Sequence, residues 1–171
     1  MIRTHMFDCR LPRSEAEALN QESGRAYTET LVWHYRIYPR SSHWLSRYSA
    51  EKLGDSLSGT TLHAHSRDAA QQGFYLACET AKANRENGAH YPYHLKKYRT
   101  TVWKHSGIRL RDDKLLLARA RGLEPVSVAL PDKLAGLPPE AFLEMRLVYD
   151  RVSRRYKWHA VIEDGAPCAD P

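Results

Sequence analysis

Basic and aromatic side chains are concentrated in one stretch of the chain, residues 91–121. The stretch contains nine cations and two carboxylates, so its excess of positive charge is larger than the net charge of +6 of the whole chain. The cations are Lys96, Lys97, Arg99, Lys104, Arg109, Arg111, Lys114, Arg119 and Arg121, and the aromatic residues among them are Tyr91, Tyr93, Tyr98 and Trp103. Guanidinium and ammonium groups neutralise phosphates, while aromatic rings stack on unpaired bases. The stretch therefore predicts a nucleic-acid-binding surface.

The same residues also fit a purely structural interpretation. Lysines often protect the exposed edge of a sheet, and the aromatic residues of such strands pack into a core. Tyr98 and Trp103 are therefore either stacking platforms for bases or core residues, and strand alternation does not separate these interpretations. A second basic patch, with Arg154, Arg155 and Lys157, fits either a nucleic-acid contact or a polar turn.

No pattern in the sequence indicates a catalytic or metal centre. The closely spaced histidine pairs are His63 with His65 and His90 with His94, and neither pair has a convincing third ligand, so we assign no metal. The three cysteines are widely spaced and form no CxxC pair, which predicts neither a disulfide framework nor a zinc knuckle. Acidic residues such as Glu79, Glu144 and Asp150 fall on the charged faces of predicted elements, where solvation explains them.

The elements that carry these residues change in type along the chain. Alternation and helical spacing predict a strand at 2–9 and helices at 14–38, within 41–57 and, capped by Ser66, at 66–81. Pro39 is expected to end the first helix. Beyond residue 84 the pattern predicts strands at 100–104, 108–111, 114–118 and 126–130, followed by a hairpin. The apolar face of its first strand is Leu143, Met145, Leu147 and Tyr149, and that of its second strand is Tyr156, Trp158, Ala160 and Ile162.

A strand, then helices, then a run of strands predicts an α+β fold. The most economical arrangement is a small antiparallel β-barrel of the oligonucleotide-binding type, interrupted by an inserted helical bundle. The expected units are the first barrel strand at 1–11, the helical insertion at 12–86, the remaining barrel at 87–164 and a linker or frayed tail at 165–171. The longest apolar run, 115–118, is far too short to cross a bilayer, and residues 1–10 lack the apolar stretch of a secretory signal. A cytoplasmic location is the default expectation.

Residues 62–103 combine a helix, a Tyr-Pro break and a basic aromatic strand. The helix contains Gln71, Gln72, Phe74 and Ala81, the break lies at 88–92, and Lys96, Lys97, Tyr98 and Arg99 lead into the strand with Trp103. This combination resembles the amino-terminal half of the TnpB family of transposon-encoded proteins and of the type V CRISPR effectors descended from them. The later strands resemble the wedge barrel of that family, and the helices before residue 86 resemble its recognition lobe.

The resemblance implies that the chain is one half of an RNA-guided DNA endonuclease. This half would bind guide RNA, the guide–target duplex and a short flanking DNA motif, at the nucleoid of a bacterium or archaeon. The cutting centre of the family is a RuvC-like domain, in which three carboxylates hold Mg²⁺, usually beside a CxxC zinc ribbon. That domain begins just after the wedge hairpin, so we expect it, with its Mg²⁺ and zinc ligands, to lie outside residues 1–171. We expect no catalytic residue within them.

The resemblance also implies roles for particular residues. Backbone-gripping candidates are Lys96, Lys97, Arg99, Lys104, Arg109 and Arg111, and further nucleic-acid-binding candidates are Arg119, Arg121, Arg154, Arg155 and Lys157. Gln71 and Gln72 are candidates for contacting base edges, because an amide can bond bidentately to adenine, although a surface glutamine without a partner is commoner. The alternative function is a stand-alone protein-interaction or structural domain with a solvated basic strip. An independent enzyme is disfavoured by the lack of a catalytic pattern.

We predict that the purified chain binds structured RNA or RNA–DNA hybrid but does not cut DNA in the presence of Mg²⁺. Binding requires only a basic and aromatic surface, whereas cleavage requires clustered carboxylates. Fluorescence anisotropy should show affinity falling by orders of magnitude between about 50 and 200 mM salt if roughly six or more phosphates are engaged. Reproducible cleavage that is abolished by changing an acidic residue of this chain would contradict the prediction.

Overall fold

The computed structural model describes residues 1–55 and 59–163 as a mixed α+β fold, which confirms the predicted class. In these residues the order is β1 (Ile2–Asp8), α1 (Arg13–Ser41), α2 (Arg47–Asp55), α3 (Ala64–Ala83), β2 (Thr101–Lys104), β3 (Ile108–Arg111), β4 (Lys114–Leu117), β5 (Val126–Ala129), β6 (Phe142–Asp150) and β7 (Arg155–Glu163). The tail predicted at 165–171 lies outside the described residues.

The strands form two antiparallel sheets. The four-stranded sheet has the order β1-β7-β6-β2, and the three-stranded sheet has the order β3-β4-β5. β1 pairs with β7, so the first and the last of the described strands lie side by side, and the helices α1, α2 and α3 separate β1 from β2 in sequence. Across the described residues the two sheets are not joined into one closed hydrogen-bonded barrel.

The core lies between the apolar faces of the two sheets. The four-stranded sheet contributes Trp103, Met145, Leu147, Trp158, Ala160 and Ile162, and the three-stranded sheet contributes Ile108, Leu115, Leu117, Val126 and Val128. Ala16 and Leu19 of α1 pack on the same cluster. Because side chains alternate along a strand, the intervening residues of the four-stranded sheet lie on its outer face, against which α3 packs.

The two long helices differ from the prediction at their ends. α1 continues past Pro39 to Ser41, because a proline in the last turn removes only one backbone hydrogen bond. The helix ends at Ser42, which adopts a left-handed conformation (φ 52°) and donates its N–H to the Tyr38 carbonyl. Ser66 does not cap α3: it is buried within the first turn, and its N–H donates to the carbonyl of His63, the residue at the cap position.

A β-bulge changes the alternation that was predicted for β6. The pairing with β7 shifts register between Phe142 and Glu144. An extra residue on one strand moves its neighbours to the opposite face. Phe142 is therefore fully buried in the core, and Leu143, which was expected there, is only partly buried.

A buried polar junction joins α1 to the start of β2. Asn20 Oδ1 accepts hydrogen bonds from the Thr101 backbone N–H at 3.2 Å and from the Thr101 hydroxyl at 2.9 Å. Since the only hydroxyl hydrogen of Thr101 is used in this way, Ser23 must be the donor in the 2.8 Å contact between the two hydroxyl groups. All three residues are buried, so each polar group finds its partner within the protein.

The segment before β2 crosses α1 at Gly24. A Cβ atom at this position would lie 2.6 Å from the carbonyl oxygens of both Lys96 and Lys97. On one side of the crossing, Thr28 Oγ1 accepts from the Lys96 N–H at 2.9 Å, and on the other the Arg99 N–H donates to the Asn20 carbonyl at 2.9 Å. Glycine therefore allows a close backbone approach that no other residue could permit here.

We predict that Gly24→Ala destabilises the protein by about 1–3 kcal/mol, because the methyl group must displace two backbone carbonyls. This is the net loss that remains after the gain in helix propensity of alanine over glycine, about 1 kcal/mol, is subtracted. Urea unfolding followed by circular dichroism measures the difference. Gln21→Ala, at an exposed position on the same helix, is the control and should change stability by less than about 0.5 kcal/mol. If Gly24→Ala is as stable as the wild type, or more stable, the backbone at the crossing can move apart far enough to accommodate a methyl group, which would contradict the prediction.

Candidate functional site

A groove runs between α3 and the outer face of the four-stranded sheet. Its volume is about 710 Å³. Helix α3 contributes Ala69, Gln72, Gly73, Tyr75, Leu76 and Glu79. The sheet and the segment before β2 contribute Arg99, Thr100, Val102, Lys104, Glu144, Arg146, Val148 and His159. Helix α2 contributes Arg47. Four of these residues are arginines or lysines and two are acidic. The groove is therefore a large concave surface with an excess of positive charge.

Arg99 is fitted into the groove by the residues around it. Its guanidinium carbon lies 4.7 Å from the centre of the Tyr27 ring, a cation–π contact. A Cβ atom at Gly73 would lie 2.0 Å from a terminal nitrogen of Arg99, so the arginine occupies space that only a glycine on α3 leaves open. Burial lowers the pKa of Arg99, but an arginine keeps its charge at physiological pH. Within the described residues, no carboxylate forms an ion pair with it.

Glu144 links two cations across neighbouring strands. Its two carboxylate oxygens accept hydrogen bonds from Lys104 of β2 and from Arg146 of β6. Burial by itself raises the pKa of Glu144, but the hydrogen bonds and charges of the two cations outweigh this and hold the pKa below its usual value. The carboxylate is therefore ionised at neutral pH and holds both cationic side chains at the floor of the groove.

His159 lies beside Arg146 in the paired strands β7 and β6. Burial lowers the pKa of His159, and the positive charges of Arg146 and Lys157 lower it further, while Asp150 has the opposite effect. The imidazole is therefore neutral at pH 7. Because the same charges would be offset by a bound anion, the pKa of His159 reports on occupation of the groove.

The structure brings three of the predicted site residues together in the groove: Gln72, Arg99 and Lys104. Arg109 and Arg111 lie elsewhere, because they alternate with core residues of β3 and project from the solvent side of the three-stranded sheet. This surface is on the opposite side of the core from the groove. The basic stretch of the sequence is thus divided between two faces of the protein.

Other predicted residues lie at the periphery. Arg119 is partly buried at an isolated bridge with Leu62, and Arg121 is exposed in the following turn. Arg154 and Arg155 are exposed at the end of the β6–β7 hairpin, where Lys157 forms a 2.7 Å ion pair with Asp150. These residues contribute positive charge but do not line the groove.

The segment that crosses α1 exposes three predicted residues. The side chains of Lys96, Lys97 and Tyr98 are exposed, although the backbone of the segment is anchored. Lys97 Nζ lies 5.3 Å from the centre of the Tyr98 ring. For Tyr98, the structure therefore favours an accessible ring over a core position.

Trp103 and Gln71 are corrections to the predicted site. Trp103 is 1 % exposed, packs 5.8 Å from Trp158 and donates its indole N–H to the Ala118 carbonyl. Gln71 is also 1 % exposed and donates to the Ala50 carbonyl at 3.2 Å. Neither side chain can reach a base, because each is enclosed within the protein. Gln72 remains at the groove, where its amide donates to Glu51.

Sequence reasoning missed Arg47, Arg146 and His159, and it placed Glu144 on a solvated face although only 8 % of that residue is exposed. The alternation of the hairpin could have placed three of these residues on one face of the sheet, since Glu144, Arg146 and His159 all fall on its polar side. That pattern does not show that α3 covers this side of the sheet. Arg47 carried no such signal, because its position depends on how α2 packs on α3.

No family model matches the chain, and no curated protein matches it. Within residues 1–55 and 59–163, no group of three or more His, Cys, Asp or Glu side chains is arranged to hold a metal ion. None of the described helices combines the length and the apolar character that a membrane span requires.

We predict that Arg146→Gln raises the pKa of His159, because it removes a neighbouring positive charge, while burial still keeps the pKa below its ordinary value. In the wild type, a short single-stranded oligonucleotide should also raise this pKa, because its phosphates offset the same charges. NMR titration of the His159 ring protons, assigned with His159→Gln, measures both effects. If the oligonucleotide binds and the pKa does not move, the phosphates lie outside the groove.

Proposed function

We propose that this chain is a nucleic-acid-binding module whose groove holds a phosphate backbone. The observation that carries the proposal is the environment of Arg99. Its guanidinium group is half-buried in the groove, and no carboxylate among the described residues pairs with it. Partial burial of an unpaired charge costs free energy, and an anionic ligand would offset that cost. A phosphate fits the fork geometry of guanidinium donors better than any neutral ligand does.

The arrangement of the other cations supports the same ligand. Lys104 and Arg146 are held on adjacent strands by Glu144, so they lose little side-chain freedom when a phosphate binds. Their charges remain only partly neutralised, because one carboxylate is shared between two cations. The exposed Lys96 and Lys97 extend the positive surface beyond the groove. A strand backbone, with regularly spaced negative charges, matches such an extended surface.

Further proposals follow from the resemblance to the TnpB family and type V CRISPR effectors. We propose that the two sheets form a partly open barrel like the wedge of that family, and that the helices between β1 and β2 act as its recognition lobe. The ligands would then be guide RNA and target DNA, in the cytoplasm at the nucleoid. The pairing of β1 with β7 around the helical segment supports this arrangement. The nuclease chemistry, with its Mg²⁺ and zinc, would belong to a separate domain.

The test removes the three linked charges together. In Lys104→Gln/Glu144→Gln/Arg146→Gln, no buried charge is left unpaired, and the net charge falls by one unit. We expect the affinity for a structured RNA and for an RNA–DNA hybrid to fall about tenfold or more, since a charged hydrogen bond contributes about 1.5–3 kcal/mol. The slope of log affinity against log salt should flatten by about one unit for each phosphate that the variant no longer binds.

Arg109→Gln is the matched control. It also lowers the net charge by one unit, but on the opposite side of the core. We expect it to change affinity by less than about twofold, because salt screens exposed charges beyond a Debye length of about 8–10 Å. Equal effects of the two variants would show that only net charge matters. If the wild type binds neither nucleic acid, the alternative of a protein-interaction domain with a solvated basic strip is favoured.

A further inference from the structure

An aromatic pocket lies beside the groove, on the other side of α3. It has a volume of about 470 Å³, within the range of small-ligand sites. Its walls come from the C-terminal part of α1, the connection to α2, the middle of α3 and the loop at 91–92. The lining residues are His34, Tyr35, Tyr38, Pro39, Trp44, Phe74, Tyr91 and Pro92. Nearly all of this surface is ring or aliphatic carbon.

The rings of the pocket are open to solvent. Tyr35, Tyr38, Trp44 and Tyr91 are each between 41 % and 51 % exposed. Trp44 lies at the centre of the group: its ring is stacked at 6.2 Å on Phe74, meets Tyr38 edge-on at 6.0 Å and lies 5.8 Å from Tyr91. A contiguous exposed group of apolar rings is typical of an interaction site. The flat faces of these rings could stack on a planar ligand.

Hydrogen bonds behind the rings fix the walls of the pocket before any ligand binds. His34 is buried, and its Nδ1 donates to the Thr30 carbonyl at 2.7 Å. The Tyr75 hydroxyl lies 3.1 Å from His34 Nε2 and 3.1 Å from the Leu45 carbonyl oxygen. On the opposite wall, Tyr35 donates its hydroxyl to the Pro92 carbonyl at 3.2 Å. These hydrogen bonds join the walls to one another, so ligand binding would not incur the entropic cost of ordering them.

The charge around the pocket identifies the class of ligand. Neither chain segment 31–50 nor 88–104, which supply most of the walls, contains an aspartate or glutamate. Among the described residues, those that line the pocket include no aspartate or glutamate, and Arg99 lies in a neighbouring depression that shares Pro92 with the pocket. Aromatic pockets also bind quaternary ammonium ligands, but such a cation would find no carboxylate partner in this lining, whereas an anion would lie near Arg99. The fitting ligand has a planar ring and a negative charge, which is the chemistry of a nucleobase with its phosphate.

The pocket is connected to the groove. A shallow depression on α3 shares Gly73, Leu76 and Arg99 with the groove and Pro92 with the pocket. Among the described residues, none of those that line this depression is acidic. A strand whose phosphates lie along the groove can therefore continue across this depression to the aromatic rings.

We propose that the aromatic pocket binds an unpaired nucleobase of a strand whose backbone lies in the groove. This inference rests on the proposed nucleic-acid-binding function and adds that the protein distinguishes single-stranded from fully paired nucleic acid. A paired base has no free face to offer, whereas an unpaired base stacks on Trp44 and its neighbours.

The test compares two single-stranded probes of equal length, an oligodeoxyadenylate and an abasic strand with the same phosphates. We expect wild-type protein to bind the oligodeoxyadenylate about tenfold more tightly, since stacking of a base contributes about 1–3 kcal/mol. Trp44→Leu should lose this preference and retain the affinity for the abasic strand. Tyr38→Leu, at a half-exposed position, gives the same test with little risk to the fold. Tyr48→Leu, an exposed ring outside the pocket, should keep the wild-type preference.

The outcomes separate this inference from the proposed function. Equal wild-type affinity for both probes would overturn the pocket assignment, while leaving phosphate binding intact. Binding of structured RNA without binding of either single-stranded probe would overturn the inference and leave the proposed function intact, whereas failure to bind any of the three would overturn both proposals. If adenosine monophosphate alone bound as tightly as the oligodeoxyadenylate, the pocket would be a mononucleotide site and the strand assignment would be wrong.

Discussion

The buried hydrogen bonds among Asn20, Ser23 and Thr101 fix how the helices meet the sheet. Each of these polar groups is cut off from water, so a shifted helix would leave at least one of them unsatisfied at a cost of about 1–3 kcal/mol. The junction therefore determines where the chain crosses α1 at Gly24 and where β2 begins. Because Arg99 lies between the crossing and the strand, its side chain enters the groove as a consequence of this contact.

The groove holds positive charge near the surface in two ways. Arg99 lies on an aromatic ring, and Lys104 and Arg146 share one buried carboxylate. Neither arrangement cancels the positive charge fully. Such preorganisation favours an anionic ligand, because binding then requires little further ordering of side chains. His159 stays neutral because burial, and then the charges of its cationic neighbours, lower its pKa.

α3 connects the two proposed contacts. Gly73 faces the groove and the next residue, Phe74, lines the aromatic pocket, so consecutive residues of one helix serve a phosphate surface and a ring surface. This division follows from helical geometry, which turns about 100° between neighbours and so directs them to different sides. This helix would therefore set the distance between the proposed backbone contact and the proposed base contact.

The sequence by itself determined the elements and the location of positive charge, since periodicity and composition are local properties. It predicted the α+β class, the later strands and Trp158, Ala160 and Ile162 as core. It could not decide whether Trp103 or Tyr98 was buried, because each lies in or next to a strand and only the packing of a second sheet covers one of them. Nor could it place Arg146 and His159 in a groove. That arrangement required α3, which is distant in sequence, to pack across their sheet, and only tertiary contacts bring such distant segments together.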